Sequence, residues 1–274
     1  MITKETKERE FILFIDSGIG GLSILKYFLS LKQNANVIYF ADNYNFPYGV
    51  KSEGDIAEIL LSIYFTLKDE FKISLIAIAC NTASVNAIDI LRSADGVPQI
   101  VGTVPAIKTA ASLTKNNKIG VIATESTIKQ NYIQNLITKF AKNKEVFLKS
   151  SRKLVEAAEN FYPTDTVKNI VAEELSYFKE VGIDALALGC THYSFLFEEI
   201  EDFFGPNVRI IDSREGVAKR INSIAPSSVF SENPEKILLL SKIDKEALKK
   251  YVKFNEILDI FNKIDFKEIR HFKS

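Results

Sequence analysis

Two cysteines are the residues of this chain best placed to do chemistry. Cys80 closes the apolar run LIAIAC (75–80), and Cys190 closes ALALGC (185–190). Each is followed by small polar side chains, Asn81 and Thr82 in one case, Thr191 and His192 in the other. A thiol can bind a metal, attack an electrophile or exchange a proton, and the thiolate is the active form. No CxxC occurs, and the only histidines are His192 and His271. That argues against a metal site, since structural zinc takes four Cys or His ligands at short spacings. A lone cysteine in an apolar strand is usually core filler. Two in matched contexts, each with polar neighbours, point instead to paired acid–base groups.

Those thiols need elements to hold them. FILFID (11–16), VIYFAD (37–42), LIAIAC, KIGVIAT (118–124), ALALGC and VRIIDS (208–213) are short, continuous apolar runs. Continuous rather than alternating apolar character predicts strands buried on both faces. Helical periodicity fills the intervals at 22–31, 55–71, 84–91, 127–140, 166–181 and 195–204. Strand alternating with helix predicts an α/β fold with mostly parallel sheets. The interval from Asp16 to Cys80 nearly equals that from Thr124 to Cys190, so two similar halves are expected, each presenting one thiol. GVPQIVGTVPA (96–106), with Pro98, Gly102 and Pro105, reads as the passage between them. The expected domains are 1–102 with 214–274, carrying Asp16 and Cys80, and 103–213, carrying Cys190 and His192. The stretch from Lys236 shows Lys- and Glu-laced helix and strand without recognisable chemistry.

Ligands of open parallel sheets bind outside the carboxyl ends of the strands. There the sequence gathers Asp16, Ser17, Asp42, Cys80, Asn81, Thr82, Thr124, Cys190, Thr191, His192 and Ser213. This set is rich in hydrogen-bond donors for carboxylates, and helix N-termini add amides and a positive dipole end. Both cysteines stand where a helix is expected to open, which favours the thiolate. Asp16, beside a glycine turn, is preferred to Asp42 as the acid, and His192 is the histidine placed to assist a thiol. One thiol on each face of a small anionic ligand suits proton removal from one side and delivery from the other. The run Gly18-Ile19-Gly20-Gly21 is no dinucleotide fingerprint, because position 23 is Ser, and no phosphate-loop Gly-Lys-Ser/Thr follows. His271, in a charged tail, is expected to be solvated.

Composition narrows the class further. Of 274 residues, 46% are hydrophobic, enough to fill real cores, which excludes global disorder. Lys plus Arg and Asp plus Glu are each 35, so the net charge is zero and contact with nucleic acid is not expected. No apolar run reaches the roughly 18 to 20 residues of a membrane-spanning helix. The polar start MITKETKERE leads into only a short apolar run. A cytoplasmic protein with reduced cysteines, not contacting a membrane, is therefore expected.

The chain resembles the glutamate racemases, within the aspartate/glutamate racemase superfamily. The segments that carry this are FIDSGIGGLSIL (14–25), PYGVKS (47–52), IACNTASVNAI (78–88), VIATESTI (121–128), KLVE (153–156), LGCTHYSFL (188–196) and VRIIDS (208–213). The resemblance implies two pseudo-symmetric α/β domains with the active site in the cleft between them. It also implies cofactor-independent, two-base interconversion of L- and D-glutamate, the D isomer serving peptidoglycan synthesis. By family analogy Cys80 deprotonates D-glutamate and Cys190 L-glutamate. Asp16 matches the aspartate assisting the first cysteine, and His192 the histidine beside the second. Ser17, Tyr48, Gly49, Asn81, Thr82 and Thr191 match residues that hold the substrate's carboxylates and ammonium. Thr124 and Thr127 fall in a threonine-bearing loop, and Glu156 matches a family glutamate near the site. Departures are Thr103-Val104-Pro105 for a commoner acidic–proline pair, Tyr44-Asn45 before PYG, and Ser194 for a proline. Rival readings are a sister activity on the same scaffold, such as aspartate racemisation, and a non-catalytic amino-acid-binding module. Assembly as a homodimer is left open.

Overall fold

The computed structural model describes residues 4–242 and 245–269, so the expectation for His271 lies outside the described residues. The chain folds as two compact units. One comprises the chain up to Thr103 and from Arg214 onward, the other Val104–Ser213. Among the described residues no helix is long and apolar enough to cross a membrane.

The strands are β1 (Glu10–Asp16), β2 (Val37–Ala41), β3 (Lys72–Ile78), β4 (Gln99–Gly102), β5 (Lys118–Ala123), β6 (Glu145–Ser150), β7 (Ala185–Gly189), β8 (Arg209–Ile211), β9 (Lys236–Leu240) and β10 (Lys263–Phe266). In the first unit they form a sheet of order β10-β9-β2-β1-β3-β4, in the second β6-β5-β7-β8. Every ladder is parallel. The order β2-β1-β3-β4 repeats as β6-β5-β7-β8, so in each unit the cysteine follows the strand beside the first. The segment after Asp212 adds β9 to β2, which makes the first unit discontinuous.

The apolar runs form these strands because helices cover the sheets. Phe11 to Ile15 are fully buried, as are Val37 to Ala41. The helix Glu53–Leu67 begins with a capping box, Ser52 and Asp55 each accepting from the other's backbone amide. It buries Ile56, Leu60, Ile63 and Leu67, one stripe at helical spacing. Thr164–Val181 ends at Gly182, whose φ of 73° supplies the left-handed turn that most residues resist.

Three details differ from the sequence expectations. The passage 96–106 is not all connection, because Gln99–Gly102 pairs with β3 as an edge strand. Pro98 and Pro105 bracket it so tightly that its apolar content is too short to stand out. The helix expected over 127–140 is two, Glu125–Lys129 and Asn131–Phe140, with Gln130 extended between them. Positions six apart on one straight helix point about 120° apart. The break lets both Thr127 and Ile133 turn inward, and both are fully buried. Finally, Cys190 opens a 3₁₀ turn, Thr191–Leu196, before the helix Phe197–Phe204.

Gly21 shows how closely the first turn packs on its sheet. A Cβ there would lie 2.7 Å from the Ala79 Cβ and 2.8 Å from the Ala79 carbonyl oxygen. Gly54, in the first turn of its helix, has open space around it. Gly21→Ala is therefore expected to destabilise the protein by about 1–3 kcal/mol. Gly54→Ala should leave it unchanged or stabilise it by up to about 1 kcal/mol. Urea unfolding of the two variants checks the pair, and equal midpoints would contradict the packing argument.

Candidate active site

In the first unit β1 delivers Asp16 to the carboxyl edge of the sheet with no exposure to solvent. Its carboxylate accepts from the Ser17 amide at 2.6 Å and the Gly21 amide at 2.5 Å. The Tyr39 hydroxyl donates to the Gly18 carbonyl at 2.8 Å and pins the same turn. The glycines thus serve a tight turn whose amides face a carboxylate.

Cys80 stands two residues beyond β3, 7% exposed, at the N-cap of the helix Asn81–Ser93. The Cys80 side chain makes no capping hydrogen bond, and its N-cap position puts it at the positive, amide end of the helix. The helix start is tied to β4. The Thr103 amide donates to Ser84 Oγ at 2.8 Å, and the Thr103 hydroxyl to the Ile78 carbonyl at 2.8 Å. Next to Cys80, both the amide nitrogen and the oxygen of the Asn81 side chain are buried without a hydrogen-bond partner. A buried amide left unmatched costs free energy, so its natural complement is a polar ligand. Ser17 and Thr82 are buried nearby in sequence.

Tyr48 and Gly49 lie in the single 3₁₀ turn Tyr48–Val50. The buried Tyr48 hydroxyl donates to Asp42 at 2.8 Å, and the Asn45 amide donates to the same carboxylate at 2.9 Å. Burial first, then the Asp42 charge and the more distant Cys80 and Asp16, push the Tyr48 phenol well above the usual tyrosine range. Asp42 is thus engaged with its own loop, while Asp16 holds the glycine turn.

In the second unit Cys190 follows β7 and is 6% exposed. Its sulfur lies 3.8 Å from His192 Nδ1, and His192 Nε2 lies 2.8 Å from a Glu159 carboxylate oxygen. Glu159 and His192 are both buried. Burial is the largest influence on the ring and opposes its charge. The hydrogen bonds and charges of Cys190 and Glu159 together outweigh it and hold His192 well above the usual histidine range. Thr124 caps its helix by accepting from the Thr127 amide at 3.3 Å and donates to the Thr127 hydroxyl at 2.9 Å. Thr191 is buried beside Cys190 in the chain.

Cys190 therefore opens a 3₁₀ turn rather than the helix expected directly after it, and the His192–Glu159 pair lies beside it. Glu156 is half-exposed and accepts from Arg152 Nε at 2.7 Å. The carboxylate that meets His192 belongs to Glu159, a residue the motif reading passed over. Its signal was an acid four positions after Val155, on the buried stripe of the helix Arg152–Glu159. Among the described residues no group of three His, Cys, Asp or Glu side chains could hold a metal ion.

The sequence profile of the Asp/Glu/Hydantoin racemases matches residues 24–220. The chain belongs to the Asp/Glu/hydantoin racemase family. It is 40% identical to the glutamate racemase of Sphingopyxis alaskensis over 215 residues, covering 77% of this chain and 80% of that one. It is 35% identical to the glutamate racemase of Yersinia pseudotuberculosis over 250 residues, covering 89% and 86%. Two solved racemases share its fold. One is the Escherichia coli glutamate racemase in complex with L-glutamate and the activator UDP-MurNAc-Ala, at TM-score 0.86 and 30% identity over 96% of this chain and 99% of that one. The other is the Francisella tularensis glutamate racemase in complex with D-glutamate, at TM-score 0.79 and 30% identity over the same shares.

For this member of the racemase family, the His192–Glu159 pair gives a pH signature. The folded ring keeps its proton to higher pH than an unfolded one. Its contribution to stability is then complete below about pH 6.5 and is lost as pH rises through the folded value. Glu159→Gln should lower the His192 titration and cost about 1.5–3 kcal/mol at low pH. Urea unfolding of both proteins across pH should show that gap shrinking as pH rises, and a gap that widens would contradict the assignment.

Proposed function

We propose that this protein interconverts L- and D-glutamate by two-base proton transfer, with Cys80 and Cys190 as the bases and no organic cofactor. The single observation that carries the reading is that each compact unit presents its own buried thiol at a strand end, with its own polar support. The family match and the glutamate racemases aligned over most of the chain support the substrate. The reaction makes it an isomerase, and its D-glutamate would supply peptidoglycan precursors in the cytoplasm.

An α-proton beside a carboxylate is only weakly acidic. A thiolate becomes effective against it when water is excluded and fixed donors stabilise the developing carbanion. In this reading one thiolate takes the α-proton from one face, and the other thiol returns a proton to the opposite face. Asp16 supports Cys80, and the Glu159–His192 pair supports Cys190. The unmatched amide of Asn81 and the hydroxyls of Ser17, Thr82 and Thr191 serve the carboxylates and ammonium of the substrate. Because the two faces need opposite protonation states, the thiols exchange roles with each turnover.

Cys80→Ala and Cys190→Ala should each abolish racemisation, and full turnover by either would refute the two-base assignment. Cys→Ser variants should retain one-way elimination from substrate analogues with a good leaving group, each on a different enantiomer. In deuterated water, wild-type protein should place deuterium at the α-carbon starting from either enantiomer of glutamate. Binding without such exchange would favour the non-catalytic module. Optical rotation followed from pure L-glutamate and pure L-aspartate separates the glutamate reading from its sister activity.

A further inference from the structure

We propose that Tyr193 is a positioning residue: its buried hydroxyl ties the turn bearing Cys190 and His192 to the start of the helix bearing Glu159, and so sets the reach from Glu159 to the His192 ring. Tyr193 has no solvent exposure. Its oxygen lies 2.7 Å from the Ser151 carbonyl and 3.1 Å from the Ala123 carbonyl. A phenol has one proton to donate, and the shorter contact is to Ser151.

Ser151 is itself the N-cap of the helix Arg152–Glu159. Its Oγ accepts from the Leu154 amide at 3.2 Å, and its amide donates to the Ala123 carbonyl at 3.2 Å. Glu159 closes that helix and meets His192 at 2.8 Å. On the other side, the Tyr193 amide donates to the Cys190 carbonyl at 3.1 Å. The path therefore closes on itself, from the Cys190–His192 turn through the phenol to Ser151, along the helix to Glu159 and back to the imidazole.

The lever is sensitive. An eight-residue helix is about 12 Å long, so a pivot of about 5° at its start moves its far end by about 1 Å. That displacement turns a 2.8 Å hydrogen bond into no bond. The charged groups acting on the ring are Cys190 from its own turn and Glu159 from the helix. Burial, then the Cys190 and Glu174 charges, keep the Tyr193 phenol protonated far above the usual tyrosine range, so it remains a donor.

The rate arm of the test rests on the racemase reading, and the titration arm does not. Because the chain has only two histidines, ring ¹⁵N spectra in a His271→Gln background report His192 alone. Tyr193→Phe should lower the His192 midpoint toward about 6.5. It should reduce kcat for glutamate roughly tenfold to a hundredfold while KM changes less than about threefold. In a Glu159→Gln background it should shift the ring no further, because the path ends at that carboxylate. A purely structural role would lower the thermal midpoint and leave the ring's titration in place. A folded Tyr193→Phe protein with an unshifted His192 midpoint, or with a shift fully additive to that of Glu159→Gln, overturns the proposal. If Tyr193→Phe does not fold, Ser151→Ala decides. A lowered midpoint upholds the linkage through the helix start, and an unchanged one overturns it. Absence of α-proton exchange in the wild type would instead overturn the racemase reading and leave the titration result standing.

Discussion

A thiolate withdrawn from water must be balanced locally, because desolvation penalises the charged form of any buried acid. Both cysteines of this chain are almost fully buried, so in the two-base reading each thiolate needs its own compensation. The two units meet that need differently. Cys80 sits at the amide end of the helix Asn81–Ser93, where backbone dipoles favour an anion, and Asp16 stands at the end of β1 in the same unit. Cys190 precedes only a 3₁₀ turn and has instead an imidazole held against a buried glutamate. The ring beside Cys190 is held well above the usual histidine range, so that support carries a charge which can titrate.

The sheets explain why the supports lie where they do. In an all-parallel sheet every strand leaves the core at the same edge, and polar side chains collect there because the strand interiors are fully apolar. Asp16, Asp42 and Cys80 stand at or just beyond the ends of β1, β2 and β3, and Thr124 and Cys190 just beyond β5 and β7. The repeated strand order puts each thiol after the strand beside the first, so the correspondence between halves is one of topology. The side chains that the two-base reading assigns to assist the thiols are not copied with it. Topology fixes where a base can stand, while local packing decides what steadies it.

Much of this was legible in the sequence because buried parallel strands write themselves as unbroken apolar runs. β1, β2, β3, β5, β7 and β8 stood out for that reason, as did both cysteines and the glycine turn after Asp16. β4 and β6 were hidden: the first is short and fenced by prolines, and the second is an edge strand with no fully buried residue. Gln130 broke a helix whose periodicity looked continuous, because the need to bury both Thr127 and Ile133 arises only in three dimensions. Glu156, marked by a motif as lying near the site, pairs with Arg152, whereas Glu159, which no motif marked, meets His192. The difference is three positions of helical phase set against a histidine far along the chain.

That last case bears on how a buried ion pair persists at all. Removing two charged groups from water costs several kcal/mol per ion unless geometry and further hydrogen bonds compensate. The pair between Glu159 and His192 is well placed by distance, yet its members come from elements with no covalent reason to meet. Tyr193 links them by hydrogen bonds instead, since its hydroxyl and its amide reach the helix start and the cysteine's own carbonyl. A residue that contacts no reacting atom can thus decide whether the pair is a support or a cost. The tyrosine of the Cys-Thr-His-Tyr run then belongs with the cysteine and the histidine as part of one mechanical unit, for which proximity in sequence guarantees only the first half of the geometry.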